Sequence, residues 1–367
     1  MRVLLAVKGF DFGGAENHVR ELANSLSERG HEVFVIAGRG RQVSLLNVSV
    51  KYKRLIMRDI LIPFQVIFIW YYLLRNRIEV IHSHQRLPIL LASIAGKLSG
   101  IPIIATVHGR TKYDLRYMVS RRFPSRFIFV SNQVLHVSAK KEEILSRSEI
   151  VQNWAAVTPP SDEKNIYSIS YISRIDKKHS MVILLIINNV IEPLVKKFPR
   201  LTFTVVGEGE AIDTLRSAAQ NLNQKLNREV CFIAGFRSDV REVIRHSGLV
   251  IGVGRVAIES LSCGTPLLSV NNKHMGSVIS TLSYCEYMRN NFLDVAAGQA
   301  DAEGMHLRLE EYLNAPCYWQ KEALVMQQYI DIDFSRERLL KVIENIYEAV
   351  LVREPNLTIV TPNAVLP

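Results

Sequence analysis

The sequence predicts an α/β protein of two doubly wound halves, each a parallel sheet covered by helices. Three observations predict it. Short apolar runs alternate with amphipathic stretches along the chain. The 367 residues are enough for two domains at roughly 150 residues each. A polar stretch with two prolines, Val157–Asn165 (VTPPSDEKN), reads as a linker, and the alternation restarts after it.

In the first half the spacing predicts strands at Arg2–Val7, Val33–Ala37, Val80–His84, Ile103–Val107 and Phe127–Val130. Helices are expected at Gly14–Ser27, Pro88–Leu98 and near Gln133–Ser146. In the second half strands are expected at Ser168–Ser173, Leu201–Val206, Val230–Ala234, Leu249–Val253 and Pro266–Val270, with helices near Ser180–Lys197 and Ala211–Asn223. A helical pattern at Arg336–Val352 carries Leu339, Leu340, Ile343, Ile346 and Tyr347 on one side. Asp331-Ile332-Asp333 reads as a loop opening that helix rather than a metal-binding Asp-x-Asp, and 353–367 reads as a mobile tail. Residues 271–304 carry no clear pattern.

The net charge of +10 is unevenly placed. Residues 1–150 hold 23 Lys and Arg against 11 Asp and Glu; the remainder holds 22 against 24. A basic first half suits an anionic partner such as a membrane surface, and it also fits a solvated basic face. Ile60–Leu74 (ILIPFQVIFIWYYLL) is too short to span a bilayer, which takes about 20 apolar residues. It reads as a buried connecting helix or as a helix lying in a bilayer interface. The segment Tyr113–Arg126 adds Arg116, Arg121, Arg122 and Arg126 to that basic surface. The four cysteines, Cys231, Cys263, Cys285 and Cys317, form no Cys-x-x-Cys pair, and the apolar run at the start is too short for a secretory signal. A cytoplasmic setting, peripheral on the inner face of the membrane, is expected.

Candidate chemistry falls where predicted strands end, which is where parallel sheets bind ligands. In the first half these places hold Gly13-Gly14 before a helix, His82 and His84, and His108-Gly109. In the second half they hold Arg174, Lys177 and Lys178, cations suited to phosphate oxygens, and the loop Gly207–Glu210. The segment LVIGVGRVAIES carries Gly252, Gly254 and Ala257 in the G-x-G-x-x-A dinucleotide spacing. The next strand ends at Asn271 and Asn272, without the carboxylate that an NAD site uses. The segment therefore reads as a phosphate-facing helix start, with Glu259 one to two turns in, placed to accept hydrogen bonds from ribose hydroxyls.

In their order these motifs resemble the retaining glycosyltransferases of family four, which have the GT-B fold: two Rossmann-like domains facing across a cleft, with a last helix crossing back. The resemblance rests on GGAE (Gly13–Glu16), IHSH, TVHG, FVSN (Phe129–Asn132), VQNW (Val151–Trp154), SRIDKK, VVGEGE, FIAGF and AIESLSCGTP (Ala257–Pro266). It implies an acceptor-side domain over 1–156, a nucleotide-sugar domain over 166–333 and a returning helix over 334–352. It implies that Arg174 and Lys178 hold the donor diphosphate, with Lys177 not separable from Lys178. Glu259 would hold the ribose as the second Glu of E-x7-E, Gly13 and Gly14 would pack on the diphosphate, and Phe236 would flank the base. His108 would stand at the reacting centre, with His84 on the acceptor side. The first Glu of E-x7-E falls on Ile251, a departure that leaves Gly254 and Arg255 to take over part of its role.

The expected function is transfer of a sugar from a nucleotide-sugar, UDP-linked before GDP-linked, to a lipid-linked or saccharide acceptor in surface polysaccharide or glycolipid synthesis. No metal, other cofactor or nucleic-acid partner is expected. A non-catalytic nucleotide-binding partner subunit is the alternative, and an NAD-dependent oxidoreductase a weaker one.

Overall fold

The computed structural model describes residues 1–352 except 12, 110–116, 139–141 and 295. Tyr113, Arg116 and the tail 353–367 lie outside the described residues. The chain forms two compact units, residues 1–153 with 337–367, and residues 154–336.

The first unit holds seven parallel strands: β1 (Arg2–Ala6), β2 (Glu32–Ala37), β3 (Lys51–Arg54), β4 (Val80–His84), β5 (Ile103–Val107), β6 (Arg126–Phe129) and β7 (Ser148–Ile150). Their order is β3-β2-β1-β4-β5-β6-β7. Strands β1, β4 and β5 are almost wholly buried, as apolar runs in a sheet covered on both faces should be. Helix Gly14–Glu28 lays Val19, Leu22, Ala23 and Leu26 on the sheet. Helix Arg86–Ser99 packs more closely still. A Cβ added at Gly96 would come within 2.6 Å of Ile103 Cγ1, so only glycine lets that helix settle on β4 and β5.

The expected return of the last helix is found. Helix Arg336–Leu351 packs within the first unit, with Tyr347 fully buried. Glu344 accepts from Arg29 Nη1 at 2.5 Å and faces His31 Nε2 at 3.0 Å, and Arg29 also pairs with Glu337.

The second unit holds β8 (Asn165–Ile172), β9 (Thr202–Val206), β10 (Cys231–Gly235), β11 (Ser247–Gly252), β12 (Leu267–Val270) and β13 (Met275–Val278), in the order β10-β9-β8-β11-β12-β13. All pair in parallel except β12 with β13. The expected helix near 180–197 begins at Lys177 and runs to Lys197 with one π turn at Ile186–Val190. It is long and apolar enough to cross a membrane, yet Ile183, Ile186, Ile187, Ile191 and Leu194 are fully buried in the core of this unit.

Two expectations are corrected, and of the two readings of 60–74 the wholly buried helix is set aside. Asp331 and Asp333 end helix Pro316–Asp333 rather than opening the next one. The supposed linker is bound down on the second unit: Thr158 N donates to Ser262 O at 3.0 Å, and Lys164 Nζ donates to Gly264 O, Thr265 Oγ1 and Gln320 Oε1. The apolar stretch at 60–74 is only half covered. Helix Ile62–Arg75 buries Val66, Ile69 and Leu73, while Phe64, Ile67, Tyr71 and Leu74 are exposed.

Candidate functional site

Each sheet reverses its strand order at one point, and doubly wound sheets bind ligands beyond the strand ends there. In the second unit the reversal lies between β8 and β11. The loop after β8 carries Arg174, Lys177 and Lys178. The loop after β11 carries Gly252 to Gly254, followed by Arg255 and Glu259 on helix Arg255–Ser262. Tyr171 and Ile251 pair in register, and a Cβ added at Gly252 would stand 3.5 Å from the Ile172 carbonyl oxygen. The two loops therefore leave the sheet side by side, and the structure brings the expected cations and Glu259 to one edge of one unit.

Arg174, Lys177 and Lys178 are exposed, and among the described residues no carboxylate pairs with any of them. The acid between them is committed elsewhere. Asp176 Oδ1 accepts from the backbone amides of Lys178 and His179, both at 3.0 Å, and lies 2.8 Å from His179 Nδ1. These bonds, the His179 amide foremost, hold the Asp176 carboxyl below its usual range. Asp176 thereby caps this helix start. The cationic side chains are what this loop offers an anion.

Helix Arg255–Ser262 starts without a side-chain cap. Gly254 stands at its N-cap with φ of 62°, a conformation that disfavours a side chain, and its amide donates to Asn291 O at 3.0 Å. Arg255 Nε donates to Glu259 Oε1 at 2.7 Å. One carboxylate oxygen of Glu259 is thus held by Arg255, which leaves Oε2 for a ligand hydroxyl. Ile251 is fully buried, which is why no carboxylate stands there.

Phe236 follows β10, the edge strand, and is half-buried. Two strand spacings, roughly 10 Å, separate its strand from β8, and three separate it from β11. The loop after β9 lies between. Gly207 N donates to Gly235 O at 2.9 Å, and Ile175 N donates to Glu208 O at 3.1 Å. A hollow of about 890 Å³ runs along β10 and helix Ile212–Leu226 and includes none of the expected residues.

In the first unit the reversal lies between β1 and β4. Gly13 caps helix Gly14–Glu28 in extended conformation; a Cβ there would meet Glu16 Oε2 at 2.3 Å, whereas one at Gly14 would meet nothing within 4 Å. Gln85 ties the two loops together, donating to Glu16 Oε1 at 2.8 Å and accepting from Lys8 N at 3.2 Å. Lys8, Glu16, Arg39, Ile56, Met57 and Gln85 line an open pocket of about 530 Å³ at this edge.

Four histidines gather beside that edge. His84 Nδ1 and His108 Nε2 are 2.9 Å apart, and the His82 and His84 rings lie 4.4 Å apart, tilted by 31°. His82 stands between Tyr347 Oη at 2.7 Å and Thr106 Oγ1 at 2.6 Å. Burial pushes His82 down to about 3 and His84 well below the usual imidazole range, and the neighbouring rings add to both shifts. Both are neutral. The sequence reading missed His18, whose ring centre is 5.1 Å from that of His108. Its only signal was a polar residue on the apolar face of a helix, beside Val19 and Leu22. Among the described residues the ring nitrogens of His18, His84 and His108, all within 4.8 Å of one another, are the one group close enough to hold a metal ion.

Two family models divide most of the chain. Residues 12–154 match Glycosyltransferase Family 4, and residues 152–287 match Glycosyl transferases group 1. The chain is 21% identical over 341 residues to a human phosphatidylinositol N-acetylglucosaminyltransferase subunit, covering 81% of this chain and 69% of that one. It is 23% identical over 292 residues to the gpi3 subunit of the same enzyme in Schizosaccharomyces pombe, covering 70% and 62%. Among solved structures it is similar to Anabaena HepE crystallised with UDP and glucose, with a TM-score of 0.73 at 15% identity over 95% of this chain and 99% of that one. It is equally similar to sucrose-phosphate synthase from Thermosynechococcus elongatus, with a TM-score of 0.73 at 14% identity over 96% and 100%. The chain belongs to the family-four glycosyltransferases and has the GT-B fold.

Proposed function

We propose that this glycosyltransferase moves a hexosyl or N-acetylhexosaminyl group, with retention, from a UDP-sugar to a lipid-linked acceptor at an anionic membrane surface on the cytoplasmic side. The reading is carried by one observation: three unpaired cations and an uncapped helix start followed by Glu259, side by side at the strand-order reversal of the second unit. When the bond between sugar and diphosphate breaks, negative charge develops on the leaving diphosphate. Arg174, Lys178 and the first-turn amides of helix Arg255–Ser262 supply fixed positive charge for it without a metal. Glu259 takes a ribose hydroxyl, Phe236 stacks at the base end, and His108 has the reacting-centre role that the family resemblance gives it. The UDP found with HepE supports the choice of nucleotide.

The lipid acceptor is supported by two features of the first unit and by the relatives' names. The pocket beside Lys8 and Arg39 gives a polar headgroup two cations. The exposed row Phe64, Ile67, Tyr71 and Leu74, near Arg75 and Arg77, suits an interface of acyl chains and anionic headgroups. Ile251, in place of the family's first Glu, favours a second reading, a partner subunit that binds nucleotide without transfer.

Thermal shift with UDP, GDP, ADP and NAD, followed by transfer from UDP-glucose and UDP-N-acetylglucosamine to phosphatidylinositol-containing vesicles, separates these readings. Stabilisation by UDP with product on the lipid supports the first. Stabilisation by UDP without product under either donor supports the second. Stabilisation by NAD alone overturns both.

A further inference from the structure

The histidine ladder of the first unit has a defined proton order. His84 is fully buried, and its Nε2 has no hydrogen-bond partner among the described residues. Its Nδ1 and His108 Nε2 share one hydrogen bond at 2.9 Å. One of these two nitrogens carries the proton. If His108 Nε2 carried it, neutral His84 would bear its own proton on Nε2, leaving a buried N–H with nothing to receive it. Orphaned buried N–H groups are rarer than orphaned acceptors. The other arrangement leaves only a bare lone pair at His84 Nε2.

We propose that His84 is a positioning residue that donates its Nδ1 proton to His108 Nε2, so that His108 stays neutral and presents Nδ1–H as its donor. The last helix takes part. Tyr347 and Thr106 hold the His82 ring by both nitrogens, and that ring lies on His84 and fixes its plane. Among the contacts the structure describes, the pair meets His82 on the same strand and His18 on helix Gly14–Glu28, and Tyr347 on the returning helix reaches His82, with Glu344 one turn away. The proton that His84 donates is what keeps a proton off His108 Nε2.

A metal ion explains the cluster less well. Zinc at 2.0–2.1 Å from two nitrogens sets them about 3.3 Å apart in tetrahedral geometry. The 2.9 Å separation is that of a hydrogen bond.

The inference rests on the role given to His108, and its first test does not use activity. In full-length protein labelled with 15N-histidine, side-chain nitrogen spectra should show His108 with Nε2 bare and Nδ1 protonated from pH 6 to 8. The second test is a pH profile. His84→Ala should move the acidic limb of the transfer rate upward by about one pH unit, because Nε2 is then free to take a proton. His84→Asn, whose amide N–H overlays Nδ1, should restore the limb. A proton on Nε2 of His108 in the unaltered protein, stoichiometric zinc that shifts the His108 signals, or an acidic limb that His84→Ala leaves in place would each overturn the proposal. If the spectra agree while His108→Ala retains full transfer, the proton order stands and the catalytic reading of His108 falls.

Discussion

Ile251 lies in register with Tyr171 across the parallel pair β11 and β8, and neither side chain is more than 1% exposed. It is also the position where the family spacing places a donor-contacting Glu. Only Val253 and Gly254 separate the end of β11 from the helix that carries Glu259. Residue 251 lies inside the strand. Ile251→Glu therefore restores no sugar contact; it buries a carboxylate in the core of the second unit. A loss of about 4 kcal/mol is expected, read as a large fall in melting temperature with no gain in transfer. Higher turnover at an unchanged melting temperature would place residue 251 in the site after all.

Arg255 and Glu259 form a pair within one helix, so their effects on the donor should not add. Glu259→Ala and Arg255→Ala are each expected to weaken UDP binding about tenfold, roughly 1.4 kcal/mol. The double variant should lose little more than either single one, because each single change already breaks the 2.7 Å bond. Calorimetric titration with UDP measures all three. Unchanged affinity in Arg255→Ala removes that residue from the donor site.

The strands near the middle of each sheet were legible because burial on both faces makes them apolar runs, as at Val3–Ala6 and Leu249–Ile251. Of the edge strands only β10 was, predicted at Val230–Ala234 and found at Cys231–Gly235. β3 is KYKR, exposed at three of its four positions, and edge lysines there discourage pairing with another sheet. β13, MGSV, pairs antiparallel at the other sheet's margin and has no apolar alternation to read. Residues at strand ends were legible in one dimension, which is why Arg174, His84 and His108 could be named. Their neighbours from other elements were not: His18 reaches the cluster from a helix and Tyr347 from the far end of the chain. The Asp176 cap carries a readable signal, an Asp directly before a helical run. The adjoining lysines, which suggest a phosphate, obscure it.

The exposed row on helix Ile62–Arg75 makes the membrane reading measurable. Phe64, Ile67 and Leu74 are 73%, 61% and 49% exposed, so replacing all three with serine removes little internal packing. The melting temperature should stay within about 2 °C, since such positions carry little folding energy. Co-sedimentation with vesicles of phosphatidylserine and phosphatidylcholine should fall at least tenfold, since each apolar side chain moved into the bilayer contributes about 1.5 kcal/mol or more. Undiminished binding would assign the membrane contact to another surface.

Glu344 fastens the last helix to the first unit through Arg29 and His31 and is itself 6% exposed. Removing it strands a partly covered guanidinium. Glu344→Ala should cost about 2 kcal/mol in urea unfolding. Arg29→Ala combined with Glu344→Ala should cost less than the two single losses added together. Full additivity would mean that the two residues do not interact in solution.

Lys164 supplies a pH test of the second unit. Its ammonium donates to Gly264 O and Thr265 Oγ1 at 3.0 Å and to Gln320 Oε1 at 3.2 Å, all uncharged, and burial pushes it down to about 8. The folded protein therefore holds this proton less tightly than the unfolded chain does. Between about pH 8 and the ordinary lysine range near 10.5, unfolding takes up a proton, so this group makes stability rise with pH across that window. Below pH 8 both states are charged and the contribution is flat. The difference in unfolding free energy between the unaltered protein and Lys164→Met, followed by urea titration, should be level up to pH 8. Above it the difference should climb in favour of the unaltered protein, by at most about 1.4 kcal/mol per pH unit. A difference that stays level to pH 10.5 would show that the three oxygens keep the ammonium charged.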